Sequence, residues 1–552
     1  MEQPRPRDGA TQLLGAATLM SMGHVTSRLL GIVRERVIAG YFGTSLEASA
    51  FGAAARVPTM VYDLLIGGML SAALVPVLAS YAATKRDEFW RALSVLLSLA
   101  AVATGLIGLA VYAFAPQIAR LLGPNFPAEG VLIVERSLRF IAPSVIAFGL
   151  AGTITGALYA LERFSLPAAA GAAYNAVMIT TVVLLHDRLG VYALAAGVSA
   201  GAVGQLLLLA PGLRDGKLRP LLDLRHPAVR RVLVLYAPIG LGLLVAQVQV
   251  WIDTRLASQA GDAALSVMRY GTQLIQFPHG FVAVAVSIAI LPTLSASHAL
   301  SEPVRYSRTL SRGIRLILAL TLPAAVGLAV LAHPVVAAVY QHGEFNAASS
   351  GAVVVALIFY LVGLPFAAID WPLNYASYAR QDTLTPALVG VLSVLAYLAV
   401  AVALGPTMNL FALPAAWLFI GLVVADSAKH ATHASVMLVI TRRRVGPSTL
   451  VGTARTLVAS GAAALVMGGV VLVVDSVLAG ALPQTTLGWI LRSGVGALVG
   501  AAVYLPLATR FGVAETSWLL DVVRRRLAEG GGGAAPPDGP SASGGPERTD
   551  RL

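Results

Sequence analysis

The feature that most constrains the fold is a series of long apolar runs that recur from Gln12 to Arg510. These runs are long enough for α-helices to cross about 30 Å of hydrocarbon. Only 12% of the 552 residues are charged, whereas soluble domains carry about 25%. A membrane β-barrel would need alternating segments of about ten residues, which the sequence lacks. The chain is therefore predicted to be an all-α, polytopic membrane protein.

The apolar runs divide into fourteen predicted spans, several of them longer than the roughly 20 residues that one crossing needs. They cover residues 14–42, 48–83, 92–116, 135–160, 166–186, 190–212, 231–256, 263–297, 313–340, 349–378, 384–404, 409–440, 453–476 and 485–509. An even number of crossings places both termini on one side of the membrane.

Basic residues concentrate in alternate loops, among them "TKRDEFWR", "LRDGKLRPLLDLRHPAVRR" and "TRRRVGPSTLVGTAR". The opposite loops, such as "GTSLEAS" and "QHGEFNAAS", carry few. The positive-inside rule places the basic loops and both termini in the cytoplasm, which predicts a cytoplasmic-membrane protein. The net charge of +12 then reflects topology and contact with anionic lipids, and no nucleic-acid partner is expected.

Two halves of the chain resemble each other. "YALERFSLPA" from Tyr159 matches "YARQDTLTPA" from Tyr378, and "LVPVLAS" from Leu74 matches "ILPTLSA" from Ile290. Six predicted spans separate the members of each pair, which indicates parallel repeats with a substrate path between them. Two six-helix lobes are predicted at residues 1–212 and 231–440, with a cytoplasmic linker between them at 213–230. An extra helix pair is predicted at 441–510, and a disordered tail at 511–552.

Catalysis is not predicted for this chain. The sequence has no Gly-x4-Gly-Lys-Ser/Thr loop for nucleotide phosphates and no evident Ser/His/Asp constellation. It also has no cysteine, which excludes disulfides and thiolate chemistry.

One polar cluster lies in the twelfth span, in the segment "DSAKHATHAS". Asp426, His430 and His433 have i, i+4 and i+7 spacing, which places them on one helix face. They are candidates to hold a metal or another cation. The alternative is a buried carboxylate that His430 and Lys429 neutralise, because charges inside membranes commonly pair.

Several arginines lie inside the predicted spans. At about 1.5 Å per residue, Arg34, Arg56 and Arg269 lie about 10–12 Å below the outer ends of their helices, and Arg28 lies deeper. An arginine that faces lipid costs roughly 2.5–3.5 kcal/mol on insertion scales. These side chains are therefore predicted to face a hydrated cavity between the lobes, where their planar guanidinium groups suit phosphate or carboxylate.

The alternative for these arginines is structural pairing with acidic residues nearby in the sequence. The candidate pairs are Arg28 with Glu35, Arg56 with Asp63, and Arg255 with Asp253. Arg34 and Arg269 have no obvious local partner in the sequence, which favours a cationic cavity for an anionic substrate.

The segments "SRLLGIVRERVIAGYFGTS", "FGAAARVPTMVYDLLIGGMLSAALVPVLASY", "FPHGFVAVAVSIAILPTLSAS", "YQHGEFNA" and "YARQDTLTP" resemble the MurJ/MviN family of lipid II flippases, in order over residues 12–510. The resemblance implies alternating access by two six-helix lobes, with the extra helix pair forming a groove for the polyprenyl tail. It implies lipid II as the substrate, membrane lipids as surroundings and cell-wall synthesis proteins as further partners. The rival functions are a flippase for another polyprenyl-linked glycan, a drug exporter of the same superfamily, or a non-transporting scaffold for cell-wall synthesis.

The resemblance also implies site residues. The family's cavity residues map onto Ser27, Arg28 and Arg34 without change. Some members carry arginine at the positions of Tyr62 and Gln273. Arg56 and Arg269 are candidates to supply those charges, since Arg269 precedes Gln273 by one helical turn.

No cofactor is expected, although coupling to Na⁺, H⁺ or the membrane potential is open. Some relatives bind sodium between the seventh, eleventh and twelfth helices, which makes Asp253 and Asp426 candidate ligands. The eleventh span has no Asp, Glu or Asn, and the predicted depths of Asp253 and Asp426 differ, which argues against a shared ion site.

Overall fold

The computed structural model describes residues 7–63, 73–84, 86–410, 419–446 and 450–516. All regular elements within those ranges are helical, which confirms the all-α class. Ten helices in this part of the chain are long and apolar enough to cross a membrane, in agreement with a multi-pass membrane protein. The count of fourteen crossings stays a prediction. Parts of the predicted spans 48–83 and 409–440, and the tail beyond residue 516, lie outside the described residues.

In the first lobe, the structure describes eight helices outside the gaps at residues 64–72 and 85. They are α1 (Arg7–Phe42), α2 (Leu46–Tyr62), α3 (Val75–Thr84), α4 (Arg86–Ala113), α5 (Ala115–Leu122), α6 (Ala128–Ala160), α7 (Ser165–Leu189) and α8 (Tyr192–Leu209). Helix α6 lies at the centre of this lobe and contacts α2, α4 and α8. Its glycines and alanines allow that close packing: a Cβ on Gly149 would come within 2.3 Å of the Thr104 side chain.

Eight helices are also described in the second lobe, apart from the gap at residues 411–418. They are α9 (Pro227–Ala257), α10 (Ala264–Pro278), α11 (Ala285–Ala299), α12 (Pro303–Val330), α13 (Ala332–Tyr340), α14 (Ala347–Ala379), α15 (Leu384–Leu410) and α16 (Phe419–Val445). Helix α14 is central and contacts α10, α12 and α16. A π-helical segment, His279–Val284, joins α10 to α11.

The helix bounds repeat between the lobes. Helices α6 and α14 both begin and end 219 residues apart, and α7 and α15 begin at the same separation. The turns that follow α6 and α14 also match, because Glu162 and Gln381 share a left-handed φ of 59°. Few non-glycine residues adopt this conformation, so its recurrence reflects equivalent turns in the two halves.

The last two helices, α17 (Thr453–Ala481) and α18 (Thr486–Arg510), form a hairpin against the second lobe. Helix α17 packs along α12, and α18 packs along α13. The Tyr504 hydroxyl donates a 2.5 Å hydrogen bond to the Ala319 carbonyl oxygen and thereby ties the hairpin to α12.

The lobes meet tightly at the end of the bundle that is predicted to face outward. The Glu344 amide donates to the Gly40 carbonyl oxygen over 2.9 Å, and the Tyr270 hydroxyl donates to the Gly43 carbonyl oxygen over 3.1 Å. Gly343 has a φ of +59°, and a Cβ there would lie 2.1 Å from the Gly40 carbonyl oxygen. These contacts close the outer end of the space between the lobes.

Candidate functional site

A cavity of about 530 Å³ lies between the two lobes, bordered by α1, α2, α7 and α10. Six of the seven residues predicted to bind substrate line it: Ser27, Arg34, Arg56, Tyr62, Arg269 and Gln273. The predicted common level of the three arginines is therefore matched by a shared cavity wall. Their role in binding stays a prediction.

Glu35 holds two cavity arginines from opposite lobes. Arg34, on the same helix, donates to Glu35 Oε1 over 2.8 Å, and Arg269 on α10 donates to Glu35 Oε2 over 2.5 Å. The Glu35 side chain is only 3% exposed, whereas the two arginine side chains are each about a quarter exposed. The carboxylate is thus buried behind the guanidinium groups, which face the cavity.

Asn175 on α7 supports the Arg34 side chain. Its Oδ1 accepts a 3.1 Å hydrogen bond from Arg34, and its Nδ2 donates to the carbonyl oxygens of Ser27 and Gly171. The amide therefore fixes the guanidinium group relative to α1 and α7. Sequence analysis missed Asn175, because a single asparagine within an apolar span carries no charge to mark it.

The Arg34–Glu35–Arg269 cluster, called here the ion triad, carries one excess positive charge. An arginine has five N–H donors, of which Arg34 uses three and Arg269 two within the described residues. The remaining donors of these cavity-lining side chains are available to a ligand. Arginine's fork of donors pairs with phosphate or carboxylate oxygens in two parallel hydrogen bonds. The triad can therefore bind an oxyanion across both lobes.

The structural pairings considered from sequence are wrong in each case. Glu35 bonds Arg34 and Arg269 and not Arg28, so Arg34 does have a local partner, while the partner of Arg269 lies far away in sequence. Adjacent helix residues do not face each other, but the long Arg34 side chain reaches round to the carboxylate.

The other two proposed pairings fail because Asp253 and Asp63 find partners on other helices. Arg56 on α2 lies 3.8 Å from Asp253 on α9, while Asp63 shares a hydrogen bond with Gln247. Asp253 thereby links the second lobe to a cavity arginine of the first lobe.

Tyr62 and Gln273, the two departures from the family pattern, both line the cavity. The Tyr62 ring packs edge-on against Phe148, with 5.3 Å between ring centroids. Gln273 lies one turn after Arg269 on α10, so the two side chains share a face of that helix.

Arg28 does not line the cavity as the other predicted residues do. Its guanidinium group lies 5.3 Å from the ring centroid of Phe281, in the π-helical segment of the second lobe. A side chain at Gly280 would overlap this guanidinium group, so glycine leaves room for Arg28 to cross between the lobes. Its stacking on an aromatic ring is typical of arginine.

Side chains from two other helices contact the candidate cation ligand Asp253. Tyr397 on α15 donates a 2.6 Å hydrogen bond to Asp253 Oδ1, opposite the contact with Arg56. Asp253 also interacts electrostatically with Asp426 and Lys429 of α16. The predicted difference in depth between Asp253 and Asp426 stays a prediction, and α15 contributes an uncharged tyrosine in place of the acid or amide that its sequence lacks.

The candidate ligand Asp426 already has a fixed cation. Lys429 Nζ lies 2.5 Å from Asp426 Oδ1, and His430 Nε2 lies 3.8 Å from Asp426 Oδ2. The Lys429 contact agrees with the alternative considered above, while His430 adds a positive charge only when its ring is protonated. With Arg56 beside Asp253 and Lys429 beside Asp426, the side chains present do not fit a sodium ion.

His433 belongs to a different carboxylate. Its Nδ1 lies 3.0 Å from Oδ1 of Asp370 on α14, and His430 Nδ1 lies 3.3 Å from Asp370 Oδ2. These contacts do not support the candidate metal site of Asp426, His430 and His433, because His433 pairs with Asp370. No group of three or more histidine, aspartate or glutamate side chains in the described part of the chain is arranged to hold a metal ion.

Comparison with known proteins adds to this geometry. The chain matches the family model of the lipid II flippase MurJ over residues 38–491. The lipid II flippase MurJ of Burkholderia cenocepacia is 32% identical over 377 residues, which are 66% of this chain and 73% of that relative. A probable lipid II flippase MurJ of Haemophilus influenzae is 29% identical over 438 residues, 75% of this chain and 82% of the relative.

Solved structures share the fold. A lipid II flippase MurJ in an inward closed conformation superposes with a TM-score of 0.76 at 21% identity, covering 92% of this chain and all of that one. An inward-facing multidrug resistance transporter of the MATE family gives a TM-score of 0.62 at 15% identity, covering 76% and 94%. The fold is thus common to both groups, while the family model and the sequence relatives distinguish them. This multi-pass protein of the bacterial inner membrane belongs to the lipid II flippase MurJ family.

Proposed function

We propose that this chain is a lipid II flippase, which moves the undecaprenyl-diphosphate-linked peptidoglycan precursor from the inner to the outer leaflet by alternating access. The observation that carries the proposal is the ion triad, in which Arg34 and Arg269 from opposite lobes share one buried carboxylate beside the central cavity. Two cations against one acid leave a positive charge that a diphosphate can neutralise. Membership in a family of lipid II flippases supports the same substrate.

The other cavity residues assist the triad in this proposal. Arg56 lies at the cavity wall with a loose 3.8 Å contact to Asp253, so it can turn toward a bound headgroup. Ser27, Tyr62 and Gln273 supply uncharged hydrogen-bonding groups for the headgroup. Arg28, stacked on Phe281, meets the headgroup where it enters between the lobes.

Transport needs no bond-making chemistry, so the protein acts as a transporter and not as an enzyme, with no cofactor. The basic loops support a cytoplasmic position for both termini. Helices α17 and α18 form the groove for the polyprenyl tail, and cell-wall synthesis proteins receive the product on the outer side. Reporter fusions at Gly43 and His342 are expected on the outer side, and cytoplasmic signals there contradict this orientation.

Three other functions are compared with the proposal. A drug exporter of the MATE type favours cationic substrates, which the excess charge of the ion triad repels. A flippase for another polyprenyl-linked glycan would use the same diphosphate contacts, so only the glycan distinguishes it. A non-transporting scaffold has no need for a cationic cavity.

The deciding experiment measures lipid II in each leaflet of cells that depend on this chain. Arg34→Ala is expected to abolish growth and outer-leaflet lipid II, whereas Arg34→Lys keeps the charge and part of the activity, since only the fork of donors is lost. Arg188→Ala, an exposed arginine at the end of α7, is the matched control and is expected to behave as wild type. Normal growth with Arg34→Ala at matched protein abundance contradicts the proposal.

A further inference from the structure

A second cavity lies within the second lobe, between α10, α14 and α16. Its volume is about 210 Å³, and its polar lining includes Thr272, His279, Tyr360, Asp426 and His430. Thr272 of α10 lines the central cavity as well, so the two cavities are neighbours at this residue. The proposed diphosphate contacts use none of the titratable groups in this second cavity.

His430 lies between two carboxylates. Its Nδ1 is 3.3 Å from Asp370 Oδ2, and its Nε2 is 3.8 Å from Asp426 Oδ2. A neutral imidazole has a single N–H, so one of its nitrogens would present a lone pair to a carboxylate oxygen. An imidazolium has two N–H groups and directs one to each acid. The geometry therefore suits the protonated ring.

The charges around His430 also favour the protonated ring. Asp370 and Asp426 carry two negative charges, and Lys429 supplies one positive charge at 2.5 Å from Asp426. One added proton makes this set neutral, which favours it in a medium of low dielectric constant.

Other groups on the surrounding helices complete the electrostatic environment. His433 of α16 contacts Asp370, and His279 of the π-helical segment interacts with both His430 and Asp370. Arg56 pairs with Asp253, and Arg28 interacts electrostatically with His279. None of these adds an acid that would compete with Asp370 and Asp426 for the His430 proton.

We propose that His430, held between Asp370 and Asp426, is a proton-binding site whose occupancy is coupled to the transport cycle. The coupling half of this inference rests on the proposed lipid II transport. The proton adds to the ring nitrogen that lacks one and leaves from it to water in the second cavity. Imidazole is suited to this exchange because it changes charge between about pH 5 and 8.

The position of the site allows proton binding at His430 to affect the residues of the central cavity. The cluster joins α14 to α16, since Asp370 lies on one helix and His430 on the other. The second cavity borders α10, which carries Arg269 and Gln273 into the central cavity. When His430 loses the proton, a lone pair of its ring faces a carboxylate, and the negative charges of Asp370 and Asp426 are less balanced. This repulsion favours a different packing of α10 against α14 and α16. The adjacent π-helical segment can absorb such a shift.

Proton binding can be measured without lipid II. Full-length protein labelled at its nine histidines, in lipid nanodiscs, is titrated between pH 5 and 8 while imidazole resonances are followed by NMR. The expected result is one titrating resonance that is absent from His430→Gln and present in the control His333→Gln, an exposed histidine of α13. Asp370→Asn is expected to change the pH response of this resonance, because one of the two acids beside the ring is neutralised.

The Asp370→Asn variant also guards against a folding defect in His430→Gln, because it alters the site while leaving the ring in place. A His430 resonance that does not respond to pH, or whose pH response is the same in Asp370→Asn, overturns the proton site.

Coupling is measured by lipid II translocation in proteoliposomes with an imposed pH gradient. The wild type and His333→Gln are expected to change rate at least several-fold with the direction of the gradient, and His430→Gln is expected to show one rate. Equal response of all three overturns the coupling. If no variant moves lipid II while the His430 titration persists, the proposed function fails and the proton site stands.

Discussion

Two buried arginine–carboxylate sites in this molecule differ in stoichiometry. In the hairpin, Arg492 donates to both oxygens of Asp475 over 2.9 and 2.8 Å, one cation against one acid. In the ion triad, Arg34 and Arg269 share the single carboxylate of Glu35. Both acids are largely buried, so burial alone does not distinguish the two sites.

The difference shows how a structural ion pair can be separated from a ligand site. Arg492 and Asp475 neutralise each other through a bidentate contact within one hairpin, and nothing more is required for that pair to be stable. The triad joins two lobes, borders a cavity and keeps an excess positive charge. An uncompensated charge is costly to bury, so its retention beside a cavity indicates a partner that arrives from outside the protein.

The largest effect is expected from removing the triad's only acid. Glu35→Gln leaves two guanidinium groups adjacent with no counter-charge, and breaking a buried pair in this way costs about 3–5 kcal/mol. Thermal unfolding in detergent is expected to show a much lower midpoint. Glu302→Gln, which removes an exposed acid at the start of α12, is the control and should unfold like wild type. An unchanged midpoint for Glu35→Gln would mean that the triad does not hold the lobes together.

A second change converts the triad into a neutral pair like that of the hairpin. Arg269→Gln leaves Arg34 and Glu35 in a one-to-one contact, so the protein is expected to fold while lipid II translocation falls more than tenfold. The double variant Arg269→Gln with Gln273→Arg is expected to recover most activity, because the new arginine lies one turn away on the same helix face. Translocation is compared at matched membrane abundance. A fully active single variant would leave substrate binding to the first lobe alone.

Replacing the hairpin pair is expected to have a small effect. The double variant Arg492→Met with Asp475→Leu substitutes apolar groups of similar volume, which is often neutral for a buried pair. Translocation should match the wild type, and the unfolding free energy should change by no more than about 1 kcal/mol. A large loss of translocation without unfolding would show that the comparison between the two sites is mistaken.

The smallest effect is expected from an exposed pair. Arg305 lies 3.1 Å from Glu302 at the start of α12, and both side chains are largely solvated. Arg305→Gln is expected to change stability by less than about 0.5 kcal/mol, because water and salt screen such pairs. A loss of about 2 kcal/mol or more in unfolding free energy would be typical of a buried pair and would group this contact with the interior sites.

Much of the architecture could be predicted because it depends on local composition. Apolar length identified the helices, and the matched turns at Tyr159 and Tyr378 identified the repeat. The cavity arginines could also be found, because charge inside a span is costly and so is rare. Depth along each helix then brought Arg34 and Arg269 to one level.

The partners of these charges could not be predicted, because they depend on how helices face one another. Glu35 lies next to Arg34 in sequence, and its contact with Arg269 requires the two lobes to be assembled. Asp370 and His433 are distant in sequence and meet only through packing of α14 on α16. Tyr397 carries no charge, so nothing in its own span indicated a contact with Asp253.

The contact between Lys429 and Asp426 has a consequence for energy transduction. A gradient does work on a carrier only when an ion is taken from one bath and released to the other. An ammonium group attached to the backbone neutralises the acid but is never exchanged, so it dissipates no gradient. At constant ionic strength, a chain with this lysine is therefore expected to transport at the same rate with and without a sodium gradient across its membrane.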